Sequence, residues 1–380
     1  MYDRKFAQAG VTLVELLVAI VVGGIIFVGV LQVVLDSKSN FVFEQELANM
    51  QENGRFIVDE LSTEIRMADF FGCSKSAVRT NTIQNNSSPA NWMFSSRGVY
   101  GFRVPTGSAA TLPAEFLNAT PDTDVLIINR ASQIETLYIQ DHNTSSKKII
   151  TAVDPNKFFS TGDIAVVSSP DCENVATFQI SGLGTNDIRH SNYSGSPGVC
   201  STALSMDNAG QVGYSCPTTS GDEGVAYAIL GQTGGAIAKL KSTAYFLKDS
   251  PLTGVPTLYR TQLVNIGGDI STREEELLTG IEDFDVFYGI DTDPVRDGEV
   301  DRYRLASQIT KDVGDASTQY VGWDRVVAVR ATLILKSTRP AFASEQVEIN
   351  LQDGYVYTDT RHLFQRIDTT ATIRNRALKF

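Results

Sequence analysis

Histidine is scarce in this chain, and so are the residue arrangements that usually mark a catalytic or metal centre. The three histidines, His142, His190 and His362, lie far apart in sequence and read as surface or turn residues rather than bases. There is no G-x-S-x-G elbow, no phosphate-cradling P-loop and no H-E-x-x-H zinc pair. The run Gly182-Leu183-Gly184 lacks a third glycine and a following helix, so it reads as a loop. These absences argue against an enzyme. Positive charge is also in deficit, with 32 Lys and Arg against 44 Asp and Glu, a net charge of −12 and a pI near 4.8. Binding to nucleic acid or an anionic membrane surface needs clustered cations, so both are disfavoured. The acidity suits the solubility of an exported domain. Cysteine is sparse: Cys73, Cys172, Cys200 and Cys216 form no C-x-x-C pair and stand apart from the histidines. An even count in an exported chain implies disulfides, with three pairings open. We favour Cys200–Cys216 across the local loop and Cys73–Cys172 across the long one, against four unpaired buried thiols. Proline (12) and glycine (30) are too few among 380 residues for a disordered chain, and no internal repeat is evident. That length accommodates two average domains or one large β-rich domain.

What the chain has in plenty is one long apolar run. Ten mostly polar residues, including Arg4 and Lys5, precede Val11–Leu35, where only Thr12, Glu15 and Gln32 are clearly polar. Twenty-five helical residues at about 1.5 Å each exceed the roughly 30 Å of a bilayer's hydrocarbon core. Basic residues before the span and none inside it place the N-terminus in the cytoplasm and everything after Leu35 beyond the inner membrane. An ordinary secretory signal is cut after its apolar stretch. Here the candidate sites, around Ala7-Gln8-Ala9 and Gly10, precede it, so cleavage between Gly10 and Val11 keeps the helix as an anchor. Glu15 is ionisable within the span, where a carboxylate is costly and needs a partner. Cleavage creates an amine at Val11, with which the Glu15 of a neighbouring subunit could pair; the alternative is a carboxylate snorkelling to the headgroups.

Past the span, Leu47, Met50, Gly54, Ile57, Leu61, Ile65 and Ala68 recur at steps of three and four, the pattern of one helical face. Glu46, Glu52, Asp59, Glu60 and Glu64 fall at what reads as the opposite, charged face. The spacing predicts one helix from about Thr12 to Asp69. After Cys73 the text becomes short β-rich runs between turn residues: 124–130, 134–140, 163–169, 175–181, 242–248, 257–264, 284–289 and 325–337. Residues 79–96 and 182–224 are rich in Ser, Asn, Gly and Thr and read as loops. The fold class is α+β, a long N-terminal helix packed on an antiparallel β-sheet head with large loop insertions. Its segments are a leader 1–10, a membrane helix 11–35, an amphipathic continuation 36–70 and a head 71–380 with an insertion at about 182–224. Loop aromatics Trp92, Tyr193 and Tyr214 read as packing groups, although an adhesive role would also use them.

One acidic loop suits a hard cation. Asp291, Asp293, Asp297, Glu299 and Asp301 surround a glycine at 298, and Ca²⁺ takes six to eight oxygens. The spacing is not that of an EF-hand, since Arg304 stands where a distal bidentate Glu belongs. The competing reading is a solvated hairpin turn after 284–289.

The short leader, Gly10 and Val11-Thr12-Leu13-Val14-Glu15 together resemble the prepilin cleavage motif of type IV pilins and type II secretion pseudopilins. In that family the fifth mature residue, here Glu15, serves filament assembly, and the mature N-terminus is methylated. Val11 stands where the family usually has Phe. Three C-terminal runs, from Gly280 to Asp293 with Asp301-Arg302-Tyr303, Trp323 to Arg330, and Arg361 to Arg376, resemble the PilW family of minor pilins in order and spacing. The resemblance implies a non-enzymatic, low-abundance subunit that primes type IV pilus assembly and sits near the pilus tip. It implies as partners other minor pilins, the major pilin, a prepilin peptidase, the inner-membrane assembly platform and a large tip adhesin. It also places the chain in the inner membrane before assembly and at the cell surface, in twitching and adhesion, afterwards. Rival readings are a J-type pseudopilin and a tip adhesin module. Mass analysis of the N-terminus should show loss of Met1–Gly10 only when a prepilin peptidase is co-expressed, leaving Val11 first. An N-terminus uncut or trimmed elsewhere would remove the roles of Gly10 and Glu15.

Overall fold

The computed structural model describes residues 11–72, 78–83, 89–95, 97–107, 112–204, 227, 234–309, 322–340, 349–350, 356–357 and 361–377. Gly10, Cys73, Tyr214 and Cys216 lie outside the described residues. Two compact units divide the chain: Met1–Glu52 with Lys336–Phe364, and Asn53–Leu335 with Gln365–Phe380. Apolar residues at helical spacing and an unbroken run without proline make α1 a single helix, Leu13–Met67, about 80 Å long at 1.5 Å per residue.

In the first unit the large apolar residues of α1 from Val11 to Leu35 are exposed. Lower in the helix the sequence expectation fails at Glu46, which is buried rather than solvated. It lies one helical turn before Met50, hence on the buried stripe. Its carboxylate accepts a hydrogen bond from Thr338 Oγ1 at 3.4 Å and stands 3.9 Å from Arg339 Nε. The Ser337 amide donates to the Leu363 carbonyl, and the Leu363 amide donates back to Ser337 Oγ, closing that segment.

The second unit carries two sheets. The larger contains β1 (Val78–Asn81), β2 (Val99–Arg103), β3 (Asp124–Asn143), β4 (Lys148–Thr151), β5 (Ile164–Ser168), β6 (Asn174–Gln179), β7 (Gly182–Leu183), β8 (Asp187–Arg189), β9 (Ala236–Asp249), β10 (Pro256–Ile266) and β11 (Asp269–Thr279). The smaller, antiparallel sheet contains β12 (Ile281–Ile290), β13 (Arg302–Arg304) and β14 (Val326–Lys336). A short pair, β15 (Ile349–Asn350) and β16 (Val356–Tyr357), precedes β17 (Phe364–Thr372), which completes the smaller sheet in the order β13-β12-β14-β17. A short helix, α2 (Arg374–Ala377), follows.

Each of the eight runs read as strands from the sequence falls on a strand, with 163–169, 175–181 and 325–337 overrunning theirs by one or two residues. The runs 124–130 and 134–140 are two halves of β3, joined across a register shift between Ala131 and Thr136. One pair departs from the antiparallel expectation, since β1 runs parallel to β6. The segments read as loops also hold β1, β7 and β8. Trp92 is buried, and the Tyr193 hydroxyl donates to the Gly268 carbonyl, as packing groups would.

Strand β9 organises the larger sheet. Along one edge it pairs with β3. Along the other, Thr243–Asp249 pair with β10 whereas Ala236–Lys239 pair with β5. The β10–β11 hairpin and β5 therefore diverge at Leu240–Ser242, leaving a fork in the sheet. The two sheets are joined through polar groups on β12: its Val286 amide donates to Asp124 at 2.7 Å, and Asp285 pairs with Arg103 at 2.9 Å.

From Asn53 onward α1 packs in this unit. Ile57, Leu61 and Ile65 are fully buried, each contributing roughly 1.5–3 kcal/mol of transfer free energy. Gly54 lets Ile367 of β17 lie against the helix, where a Cβ would stand 2.3 Å from the Ile367 Cδ1. Glu60 and Glu64 are a second correction. They flank the apolar stripe and turn to the sheet. Glu60 takes hydrogen bonds from Arg260 (2.6 Å) and the Tyr245 hydroxyl (3.0 Å), and Glu64 is held bidentately by Arg130 at 3.0 and 2.7 Å.

The helix ends on a buried carboxylate. Asp69 follows the last helical turn with φ +66°, a left-handed position where glycine is usual and Asp is tolerated. Its amide donates to the Asn129 carbonyl of β3, and its carboxylate binds Arg79 of β1 (2.6 Å) and Arg376 of α2 (2.7 Å). Gly98 is needed beside it, because a Cβ there would lie 2.1–2.4 Å from Asp69. Burial alone would raise the Asp69 pKa, but the Arg376 and Arg79 charges outweigh it and hold the carboxyl far below its usual range. With the folded pKa depressed, this stabilisation is complete above the unfolded value near 4 and drains away as pH falls below it. Asp69→Asn should therefore cost about 3–5 kcal/mol at neutral pH by leaving two guanidiniums uncompensated. Its deficit relative to wild type should shrink below pH about 4, as thermal unfolding of the detergent-solubilised chain would show.

Candidate functional site: the head of the N-terminal helix

Thr12 and Glu15 close the start of α1 on themselves. The Thr12 amide (3.0 Å) and hydroxyl (2.9 Å) both donate to Glu15 Oε2, and the Glu15 amide donates back to Thr12 Oγ1 at 3.3 Å. This is a capping box, which satisfies helix N–H groups that have no carbonyl four residues earlier. The signal was present in the sequence as T-x-x-E ahead of an apolar run, and the sequence reading passed over it. Glu15 thus has a partner within its own chain, and among the described residues these bonds use only one of its two oxygens.

Beyond the cap the helix is apolar on every side. It is the one helix among the described residues long and apolar enough to cross a membrane, and none of its most hydrophobic 18-residue window is buried. A side chain added at Gly23, Gly24 or Gly29 would meet nothing within 4 Å. Such a surface is stable only in lipid or against other apolar helices.

The remaining sequence candidates fall into place differently. Asp291, Asp293 and Asp297 come together with one carboxylate oxygen of each within 4.8 Å of the others, while Glu299 and Asp301 stand outside that cluster. Asp291 is fully buried and accepts from the amides of Asp293 (3.1 Å), Asp297 (2.8 Å) and Gly298 (2.8 Å). Asp301 accepts from the amide and hydroxyl of Thr292, and Asp297 accepts from the Glu299 amide. Arg325 donates to the Asp293 carbonyl. These bonds tie together the loop between β12 and β13. Cys172 and Cys200 are both disulfide-bonded.

The histidines need correction. His142 of β3 and His190 are buried, and their Nε2 atoms meet at 3.1 Å. His190 Nδ1 faces the Thr202 carbonyl at 3.1 Å, so a proton on that Nδ1 and one between the two Nε2 atoms make both imidazoles neutral. Burial first, then the neighbouring His142, push the His190 pKa down to about 3. Sequence separation hid this pairing, because it depends on β3, β4 and β8 folding together.

Comparison with known families fits this geometry. Residues 5–31, which include the capped start of the apolar helix, match the prokaryotic N-terminal methylation motif. Residues 244–375, covering the end of β9, the β10–β11 hairpin and the whole smaller sheet, match the type IV pilus-assembly protein W family. No curated protein and no solved structure matches the chain. A methylation motif on an exposed apolar helix, together with a pilus-assembly match over the smaller sheet and the β10–β11 hairpin, supports a type IV pilin-like protein similar to the PilW family.

Proposed function

We propose that this protein is a minor pilin: a non-enzymatic subunit that primes type IV pilus assembly and sits at or near the pilus tip. The observation that carries the reading is the state of Glu15. Among the described residues Thr12 engages only its Oε2, which leaves Oε1 for the amine that cleavage after Gly10 would create on a neighbouring subunit's Val11. The capping box fixes the carboxylate in place, so a second subunit meets an acceptor already oriented. An apolar helix with Glu15 as its single charge between Val11 and Leu35 would slide from the inner membrane into a filament core without uncovering apolar surface. Arg4 and Lys5 support a cytoplasmic N-terminus before assembly. Partners on this reading are the major and other minor pilins, the prepilin peptidase, the assembly platform and a tip adhesin. Cys200–Cys216 and Cys73–Cys172 remain the proposed disulfides.

Deleting the gene should abolish surface filaments. Wild-type protein should restore them, whereas Glu15→Ala should reach the membrane and fail to do so. Normal filaments with lost adhesion would sink priming in favour of the tip-adhesin reading. Normal filaments with lost protein secretion would favour a J-type pseudopilin.

For the acidic loop we propose a hairpin turn rather than a calcium site, because the loop's own amides engage Asp291. Calorimetric titration of the detergent-solubilised chain with Ca²⁺ should give no heat. Asp291→Ala should lower stability by about 1–3 kcal/mol, since buried amides lose their acceptor. A calcium-dependent heat that this variant abolishes would reverse the assignment.

A further inference from the structure

The fork where β10 and β5 part company from β9 is an open cleft of about 690 Å³, large enough for one or two sugar rings. Its charge differs in sign from the chain as a whole. Lys239, Lys241 and Arg273 line it against Glu135 and Asp163, a local excess of one positive charge in a protein of net charge −12.

The two carboxylates are already spent. Lys239 bridges Glu135 at 2.8 Å and Asp163 at 3.1 Å. Asp163 also accepts from the Ser160 amide (2.8 Å) and from Asn265 Nδ2 (2.7 Å). Lys241 and Arg273, by contrast, have no ion pair or side-chain hydrogen bond among the described residues. Lys241 stands on β9 at the split, and Arg273 stands on β11, opposite Gln262 of β10. The cleft therefore presents two uncommitted cations from different strands beside two carboxylates that share one lysine.

The walls are held in place before any ligand arrives. Asn265 Oδ1 accepts from the Gly268 amide across the β10–β11 turn, and Tyr193 donates to the Gly268 carbonyl from the other side. That bond leaves the Tyr193 ring as a flat apolar wall. Ser160 and Thr161 add hydroxyl groups to the lining. A lone phosphate would fill little of this volume, and an apolar ligand would strand the two cations. A ring with several hydroxyls and one carboxylate matches cations, amide, hydroxyls and aromatic wall together.

We propose that the fork cleft is a binding site for an acidic saccharide of the uronic acid type, whose carboxylate is held by Lys241 and Arg273. The inference does not depend on the filament role proposed above. The test is calorimetric titration of the full-length protein in detergent with digalacturonate, alongside its neutral counterpart galactobiose. Digalacturonate should bind saturably and more weakly as salt rises. Lys241→Gln and Arg273→Gln should each weaken binding about tenfold, a loss of about 1.4 kcal/mol, without lowering the unfolding temperature. Lys157→Gln, an exposed cation outside the cleft, should leave it unchanged. Absence of saturable binding, equal binding of galactobiose, or binding undiminished in the double variant would overturn the proposal. Inorganic phosphate or a short peptide with a free C-terminal carboxylate competing as well as digalacturonate would overturn the saccharide assignment.

Discussion

The head depends on one carboxylate at the end of one helix. Asp69 is buried, sits at a left-handed backbone position and neutralises two arginines that reach it from opposite ends of the sequence. Arg79 belongs to β1, which starts the larger sheet, and Arg376 to α2, which follows the last strand of the smaller one. Arg376 also donates to the carbonyls of Trp323 and Val326, and Asn375 donates to the Ala68 carbonyl at the helix end. The backbone joins in, with the Ala131 amide donating to the Phe70 carbonyl. Glycine would fit the φ of this position at less cost, but it has no carboxylate. The ion pairs are what make Asp worth its strain there.

Once the helix end is fixed, the sheets have little freedom. Glu64 and Glu60, at one and two turns before the end of α1, bind Arg130 on β3 and Arg260 on β10, so the helix registers on the larger sheet through charge as well as apolar packing. Asp124 and Arg103 then set β12 against β3 and β2. The acidity of the chain thus has two uses. Some carboxylates keep the surface soluble, and others, buried, pin strands that are distant in sequence. The fork at β9 follows from the same constraint. A fourteen-residue strand is served along one edge by two partners, and neither covers the residues between them.

The sequence made legible those features carried by local pattern. The apolar run, the helix with its buried stripe, and the strands with alternating or continuous β-branched residues all depend on neighbours within a few positions. What it hid was long-range. Glu46, Glu60 and Glu64 looked like a solvated face because their partners lie tens to hundreds of residues away, at Thr338, Arg260 and Arg130. His142 and His190 looked scattered because only the adjacency of β3, β4 and β8 brings their rings together. The split of 124–140 into two strands misjudged an irregularity that β3 absorbs without ending. In the acidic loop the sequence reading left metal and turn open, because both use Asp and Gly. The backbone amides that Asp291 accepts from could not be read from that spacing.

Glu15 shows how one residue can meet two demands that conflict in a single chain. A carboxylate in an apolar helix is unfavourable unless bonded, so the free subunit in the membrane needs an internal partner. A carboxylate fully satisfied within its own chain would offer nothing to a neighbour. The capping box resolves the conflict by geometry, because both Thr12 donors converge on Oε2. A hydroxyl four residues further along the helix would lie below the carboxylate, off the helix start, and would leave the first amides uncapped. On the assembly reading proposed above, the position of the charge in the helix, and not merely its presence, would let the same residue cap its own helix and serve the next subunit.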